Sequence, residues 1–190
     1  MLALDSKERG VEPFCFILEE QLMHMDKMEI IKVSTQKLVN EVSLLANKIW
    51  RDHYTPIIGK KQVEYMLDKF QSKAAIIEQL EGGFLYFIIK EEGEGYIGYI
   101  GLIPKGDEMF LSKIYVMSEK RGKGYGRKLI GFIEQLAKKK GCSKITLTVN
   151  KNNFDAIEFY QRCGFTNSGS LVQDIGEGFV MDDHKMEKSF

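Results

Sequence analysis

A glycine-rich turn joins a predicted strand to a predicted helix beyond the middle of the chain. The strand is FLSKIYVM (residues 110–117), the turn is RGKGYG (121–126), and the helix RKLIGFIEQLAKKK follows. Glycine costs a helix or strand about 0.5–1 kcal/mol relative to alanine, so alternate glycines indicate a turn with a special backbone. Free N–H groups ahead of a helix N-terminus form an anion site. The side chains that add positive charge and favour a diphosphate there are Arg121, Lys123, Arg127 and Lys128.

Two well-known phosphate-binding motifs do not match this turn. A Walker A loop needs G-x-x-x-x-G-K followed by Ser or Thr, and that spacing is absent here. A dinucleotide fingerprint, G-x-G-x-x-G, fails because Leu129 stands where its last glycine belongs. The acidic ribose ligand is also missing, since residues 144–146 hold no carboxylate. A main-chain anion site and a solvated basic turn without a ligand therefore both stay open.

The first half of the chain predicts helices followed by a meander of strands. The predicted helices cover residues 34–54, 59–72 and 74–80, and the three antiparallel strands cover 84–90, 96–103 and 109–117. Ser34 is the predicted N-cap of the first helix. We expect Pro56 and Gly59 to end that helix.

After the glycine turn, helices and strands alternate. Helix 124–140 ends at Gly141, a strand starts at Lys144, and a short helix over 153–163 ends at Gly164 before two closing strands. A meander followed by β-α-β-α-β-β predicts an α/β fold with a mixed (α+β) sheet.

A single domain is expected over residues 28–190, because no linker, repeat or low-complexity segment interrupts the pattern. Residues 1–27 are interpreted as an N-terminal extension of uncertain role, ahead of a strand that starts at Met28. The alternative is that FILEEQLMHM (16–25) forms a helix that docks on the domain or on a second subunit.

Charge balance and cysteine content narrow the classes of function. The 27 basic and 27 acidic residues give a net charge of +0, which argues against a nucleic-acid or membrane-surface binder. Cys15, Cys142 and Cys163 form no CxxC pair, which favours reduced thiols in a cytoplasm. The apolar run over residues 14–18 is too short to span a membrane. These features predict a soluble, cytoplasmic protein.

Two segments together resemble the GCN5-related N-acetyltransferase (GNAT) superfamily. In LSKIYVMSEKRGKGYGRKLI, the family pattern Gln/Arg-x-x-Gly-x-Gly/Ala is met by Arg121, Gly124 and Gly126. The segments follow each other in the family's order and separation, and the resemblance extends from about Met28 to the C-terminus. In VNKNNFDAIEFYQRCGF, the residues in the family's expected places are Asn153, Ala156, Tyr160, Gly164 and Phe165.

The resemblance implies the GNAT acyl-CoA N-acyltransferase fold, with acetyl-CoA as co-substrate and no metal. The backbone of Ile114, Tyr115 and Val116 would pair with the pantetheine arm, and Asn153 would touch the same arm. An N–H at this strand edge would polarise the thioester carbonyl. The turn would hold the diphosphate, with Arg127 at its rim, through Arg121, Gly122, Lys123, Gly124, Tyr125 and Gly126.

The same resemblance implies direct attack of a primary amine on the thioester, with Tyr160 giving a proton or hydrogen bond to the departing thiolate. From the residues alone, Tyr160 would instead be a core aromatic on a helical stripe with Phe154 and Ile157. The general base is open, because the strand over residues 146–148 carries no carboxylate. The candidates for the base are Asp52, His53, Glu108 and Asp182.

The acceptor is expected to be a polyamine-like small molecule. Residues 49–70 and 178–188 resemble the bacterial polyamine (spermidine/spermine) acetyltransferase branch. A polycation favours a cleft with several carboxylates. The acids that could supply them are Asp52, Glu64, Asp68, Asp182 and Asp183.

Two other functions stay open. One is an acetyltransferase for a protein lysine or N-terminal amine, and the other is a non-catalytic acetyl-CoA-binding protein. No nucleic-acid or membrane partner is expected, and a homodimer is a possible assembly.

Overall fold

An eight-stranded mixed sheet carries the fold in the computed structural model, which describes residues 22–25 and 27–190. The strand order is β1-β2-β3-β4-β5-β6-β8-β7, and only the β5–β6 pair is parallel. The strands are β1 Leu22–Met25, β2 Met28–Lys32, β3 Leu85–Glu91, β4 Gly95–Lys105, β5 Glu108–Val116, β6 Lys144–Asn150, β7 Thr166–Gly176 and β8 Phe179–Ser189.

Helices cover both faces of this sheet. They are α1 Gln36–Ile58, α2 Lys60–Gln71, α3 Lys73–Glu81, α4 Tyr125–Lys139 and α5 Phe154–Arg162. Helices α1 to α3 pack on one face, and α4 and α5 pack on the other, each over its own buried apolar cluster. This arrangement confirms the predicted α/β class with a mixed sheet. Within the described part of the chain, no helix is long and apolar enough to cross a membrane.

The two ends of α1 differ from the sequence prediction. Thr35, and not Ser34, is the N-cap, because its side-chain oxygen accepts a hydrogen bond from the Leu38 N–H at 3.3 Å. Pro56 lies inside the helix, which continues to Ile58 and is capped by Gly59. A proline inside a helix removes one hydrogen-bond donor. Because only two residues of α1 follow Pro56, the loss affects the last turn and the helix still reaches Ile58.

Leu22–Met25 is a strand that pairs antiparallel with β2. The alternative of a helix over FILEEQLMHM is therefore wrong for these four residues, and its earlier residues lie outside the described part of the chain. The assignment of residues 1–27 as an extension stays a prediction.

The sheet opens between its two parallel strands. The β5–β6 register runs from Glu108↔Lys144 to Leu111↔Leu147 and goes no further, although β5 continues to Val116 and β6 to Asn150. The β5 backbone over residues 112–116 therefore has an edge without a β6 partner. The gap lies on the side of the sheet where β5 leads into α4 and β6 leads into α5, so both helices start beside it.

Candidate active site

The turn after β5 presents a row of free backbone N–H groups. The first hydrogen bond of α4 runs from the Lys128 N–H to the Gly124 carbonyl at 3.2 Å, and no side chain caps the helix. Within the described structure, the N–H groups of residues 122–127 have no protein acceptor. A helix N-terminus with unpaired donors binds anions through its amides and its dipole. The turn therefore has the unpaired donors and the helix N-terminus that an anion site requires.

The three glycines of the turn have two different physical roles. Gly122 and Gly124 have φ angles of 76° and 83°, a conformation that costs other residues free energy. Nothing lies within 4 Å of a Cβ built on either one, so an incoming ligand has access to their backbone. Gly126 differs, because its Cβ would lie 2.9 Å from the Phe159 ring. This third glycine allows α4 to pack closely on α5.

Glu91, at the end of β3, holds both ends of the turn. One carboxylate oxygen lies 2.5 Å from the Lys120 ammonium, and the other accepts a short hydrogen bond from the Tyr125 hydroxyl. Lys120 also pairs with Glu94 at 3.0 Å. Lys120 and then Tyr125 lower the pKa of Glu91, which keeps the carboxylate charged. The buried Tyr125 side chain therefore anchors the turn, while its backbone N–H is one of the unpaired donors.

Arg121 is held by protein groups on the inner side of the turn. Its Nε donates to the Val116 carbonyl at 3.1 Å, and its Nη1 lies 3.2 Å from Nδ1 of His53 in α1. Arg127 lies exposed at the cavity rim, while Lys123 is exposed and does not line the cavity.

His53 and Asn153 connect α1 to the start of α5. The Asn153 side-chain amide is 4% exposed and lies 3.2 Å from Nε2 of His53. Because Arg121 can only donate, Nδ1 of His53 accepts from it, and Nε2 then carries the proton of the neutral ring. This proton has an acceptor when the Asn153 amide, whose nitrogen lies 3.2 Å from Nε2, is turned so that its oxygen takes that place. Burial, followed by the charge of Arg121, lowers the pKa of His53. The lone pair that a general base would need is thus already occupied.

Tyr160 is buried in α5 at the edge of the same cavity. Its ring packs against Phe159 and Phe165, with centroid distances of 5.4 and 5.5 Å. Burial raises the pKa of Tyr160, so its hydroxyl keeps its proton. Among the described residues, none hydrogen-bonds this hydroxyl. The predicted core stripe is wrong for Phe154, whose side chain is 72% exposed.

A cavity of about 1830 Å³ joins the turn to the space beneath α1 and α2. Sites for one small ligand usually measure about 300–1,000 Å³, so this cavity has room for two. Its walls bring together most of the predicted cofactor residues, including Gly122, Gly124, Ile114, Tyr115 and Val116, with the predicted catalytic Tyr160.

Comparison with known proteins supports the interpretation of this site. Residues 46–165, more than half of the chain, match the profile of the Acetyltransferase (GNAT) family. The chain belongs to the GNAT family. The resemblance to this family that the two sequence motifs indicated is thereby confirmed.

Individual GNAT relatives add detail. A spermine/spermidine N(1)-acetyltransferase from Bacillus subtilis (strain 168) is 36% identical over 78 residues, which cover 37% of this chain and 51% of that one. The chain thus spans about half the length of that relative. A spermidine N(1)-acetyltransferase from Thermoplasma acidophilum is 25% identical over 160 residues, covering 82% of this chain and 96% of that one.

Solved structures share the fold. PaiA N-acetyltransferase from Thermoplasma acidophilum, in complex with coenzyme A, superposes with a TM-score of 0.69 at 24% identity. The match covers 86% of this chain and 99% of that one. At this level of identity, the likeness shows the GNAT fold.

The acids predicted from the sequence are mostly outside the GNAT cavity. Asp52 and Asp68 are exposed and do not line it, and Glu64 pairs on the surface with Arg51 at 2.7 Å. Asp182 pairs with Lys151, and Glu108, which lies at the wall, is 3.8 Å from Lys144. The predicted cluster of acids therefore does not assemble at the cavity.

Asp183 is the exception among these acids. It is 5% exposed, lines the cavity and lies opposite Asn150 in the β6–β8 register. Burial raises the pKa of Asp183, while the Thr148 hydroxyl partly offsets this effect. Burial raises the pKa of Tyr54, and the charge of the Asp183 carboxylate raises it further.

The sequence reasoning missed an aromatic wall on α1. Trp50 lies 4.6 Å from Tyr54 and 5.6 Å from Tyr115 between ring centroids, and all three line the cavity. Aromatic faces attract cations within about 6 Å. The spacing of Trp50, His53 and Tyr54 at i, i+3 and i+4 places them on one helix face, and this signal was available in the sequence.

Proposed function

We propose that the protein is an acetyl-CoA-dependent N-acetyltransferase acting on the primary amine of a small molecule. The observation that carries this proposal is the juxtaposition of three features on one cavity. These are the free N–H groups of residues 122–127, the unpaired edge of β5, and the buried hydroxyl of Tyr160. The first two fit a diphosphate and an extended amide-containing arm, which are the parts of acetyl-CoA.

Most of the predicted cofactor residues have a role that their position supports. The amides of residues 122–127 would hold the diphosphate, and the edge over Ile114, Tyr115 and Val116 would pair with the pantetheine arm. Asn153 would contact the same arm from the start of α5. Acetyl-CoA supplies an acetyl group activated as a thioester, which the amine attacks directly.

Tyr160 would act as the proton donor to the departing sulfur. Its hydroxyl stays protonated because burial raises its pKa, and it has no partner among the described residues that would compete for the proton. The rings of Phe159 and Phe165 pack against its ring, and the Tyr160 side chain is buried. A proton donor in a dry site can lower a barrier substantially.

Asp183 would receive the ammonium and take its proton. A carboxylate whose pKa is raised by burial is a better base than an exposed one. The faces of Trp50 and Tyr54 would steady the cation beside it. Among the four earlier candidates for the base, Asp52, Glu108 and Asp182 are exposed or ion-paired, and His53 has its lone pair engaged.

The similarity to spermine/spermidine and spermidine N(1)-acetyltransferases supports a small amine as acceptor, with spermidine and spermine as the first compounds to test. Among the described residues that line the cavity, Asp183 is the one buried carboxylate, which is enough for one ammonium.

Release of free coenzyme A thiol tests the proposal. The purified protein is incubated with acetyl-CoA and, separately, with spermidine, spermine, simple alkylamines, lysine and a lysine-containing peptide. We expect amine-dependent thiol release that Tyr160→Phe strongly reduces. Turnover of the peptide alone would favour the protein-acetyltransferase alternative. No amine-dependent release despite acetyl-CoA binding would favour the non-catalytic alternative.

A further inference from the structure

Lys113 is a buried lysine in the cavity wall, on the face of the sheet that α1 to α3 cover. It lies in β5, two residues before Tyr115, and its side chain is on the same face as that of Tyr115. The residue is 6% exposed and lines the cavity. The proposed cofactor contacts and proton transfers do not use it.

The Lys113 ammonium lies among neutral groups. It donates to Gln79 Oε1 at 2.7 Å and to Ser112 Oγ at 3.3 Å. The rings of Phe84 and Tyr86 lie 5.2 and 5.4 Å away from it. Within residues 27–190, no carboxylate lies within ion-pair distance, and burial lowers the pKa of Lys113 to about 8.

A glycine on the neighbouring strand β4 leaves space for the Lys113 side chain. Gly101 lies opposite Lys113 in the β4–β5 register, and a Cβ on Gly101 would come within 3.1–3.3 Å of the Lys113 side-chain carbons. The lysine stem thus lies across a glycine, with its charge between α3 and two aromatic rings.

A buried cation without a counter-charge is unfavourable, and an apolar side chain of similar length would avoid that cost. A perturbed charge that faces a cavity is typical of a binding function. The missing anion is therefore expected to come from a ligand.

We propose that Lys113 binds a carboxylate at the end of the acceptor that is distant from its reacting amine. The acceptor class is then an amino carboxylate, and this inference rests on the proposed acetyl transfer. Two residues of a strand span about 7 Å, so Lys113 lies about that far along β5 from Tyr115. A linear chain of about six carbons fits between an amine near Tyr115 and a carboxylate at Lys113.

Three probes with the same amine and chain length test the distal charge. They are 6-aminohexanoate, 1-aminohexane and 1,6-diaminohexane, compared by kcat/KM with saturating acetyl-CoA. We expect the carboxylate probe to be preferred over the diamine about 10-fold or more, because a charge-assisted hydrogen bond strengthens its binding. In Lys113→Met, the preference for the carboxylate over the uncharged probe should fall by about 10- to 100-fold.

Lys69→Met is the matched control. Lys69 also lines the cavity, but its ammonium is exposed and donates to the Ile175 carbonyl and the Tyr65 hydroxyl. This variant should keep the preference of the wild type. Lys113→Gln serves as a second variant if Lys113→Met does not fold.

Trp50 fluorescence separates the two proposals, because this tryptophan, the single one in the chain, lines the cavity. Hexanoate has no amine, yet it should quench Trp50 in the wild type and not in the Lys113 variants. Quenching without any acetyl transfer would keep the anion site and refute the acetyltransferase. Transfer to diamines at least as fast as to 6-aminohexanoate, unchanged by Lys113→Met, would refute the anion site alone.

Discussion

The carboxylate of Glu91 lies 2.5 Å from the ammonium of Lys120, and the two side chains are only 13% and 9% exposed. Glu91 ends β3, whereas Lys120 immediately precedes the glycine turn. Since Glu91 also accepts from Tyr125, one side chain spans the whole turn. The backbone of the proposed diphosphate site is thus held by a residue that does not contact the ligand.

Glu91→Gln is expected to weaken acetyl-CoA binding. It leaves Lys120 with one acidic partner, Glu94, and loosens the turn at both ends. We expect a loss of stability and a rise of about 10-fold in KM for acetyl-CoA. Glu92→Gln is the control, because the exposed neighbour loses the same charge. Equal effects of the two variants on KM would show that Glu91 does not position the turn.

Tyr160→Phe is expected to reduce kcat about 100-fold or more, because the departing sulfur loses its proton donor. The KM for acetyl-CoA should change little, since the ring contacts with Phe159 and Phe165 persist. Steady-state kinetics with an accepted amine measure both constants. Tyr96→Phe, a partly buried tyrosine at the start of β4, is the control. A kcat within a factor of two of wild type would return Tyr160 to a packing role.

Asp183→Asn should separate activity from stability. Burial raises the pKa of Asp183 above its unfolded value of about 3.9. The stability linked to this group is therefore fully present below the unfolded pKa and is lost as the pH rises through the folded pKa. At pH 7 the variant should be at least as stable as the wild type, while its kcat/KM for the amine falls about 100-fold.

The control for this carboxylate is its neighbour. Asp182→Asn removes a partly exposed acid that pairs with Lys151, and it should retain most of the activity. Thermal melts measure the stability of both variants, and pH profiles of kcat/KM measure their activity. An acid limb of kcat/KM that persists unchanged in Asp183→Asn would exclude Asp183 as the base.

Two glycines of α4 should respond oppositely to alanine. In Gly126→Ala the new Cβ would meet the Phe159 ring at 2.9 Å, and overpacking of this kind costs about 1–3 kcal/mol. Gly131→Ala meets nothing within 4 Å and should raise the stability by about 0.5–1 kcal/mol. Chemical denaturation measures both changes. If Phe159→Leu failed to restore Gly126→Ala, the contact with the ring would not be the cause.

The features that the sequence alone could predict are those encoded locally. The turn was recognisable because its alternate glycines and basic residues are contiguous, and Gly122 and Gly124 do adopt positive φ angles. The helices and the strand meander were predicted from periodicity, with errors in cap and proline details at Ser34 and Pro56, whereas the strand over Leu22–Met25 was not predicted. The GNAT family followed from two motifs and is confirmed.

The acidic side of the site was not predictable in this way. Asp182 and Asp183 are adjacent, and neighbouring residues of a strand point to opposite faces of a sheet. Which of the two is buried depends on the β6–β8 register, and a sequence does not state that register. The link from Glu91 to Lys120 likewise joins residues that are distant in the chain. The role of residues 1–27 and the homodimer stay predictions.

The central claim is that the backbone amides of residues 122–127 grip the diphosphate of acetyl-CoA, and amide chemical shifts test it most directly. Uniformly 15N-labelled protein is titrated with coenzyme A, and the backbone N–H signals are followed by NMR. We predict that the signals of residues 122–127 move most, as expected for donors that gain charged acceptors. Unchanged signals from the turn at saturating coenzyme A, with or without changes elsewhere, would contradict the claim.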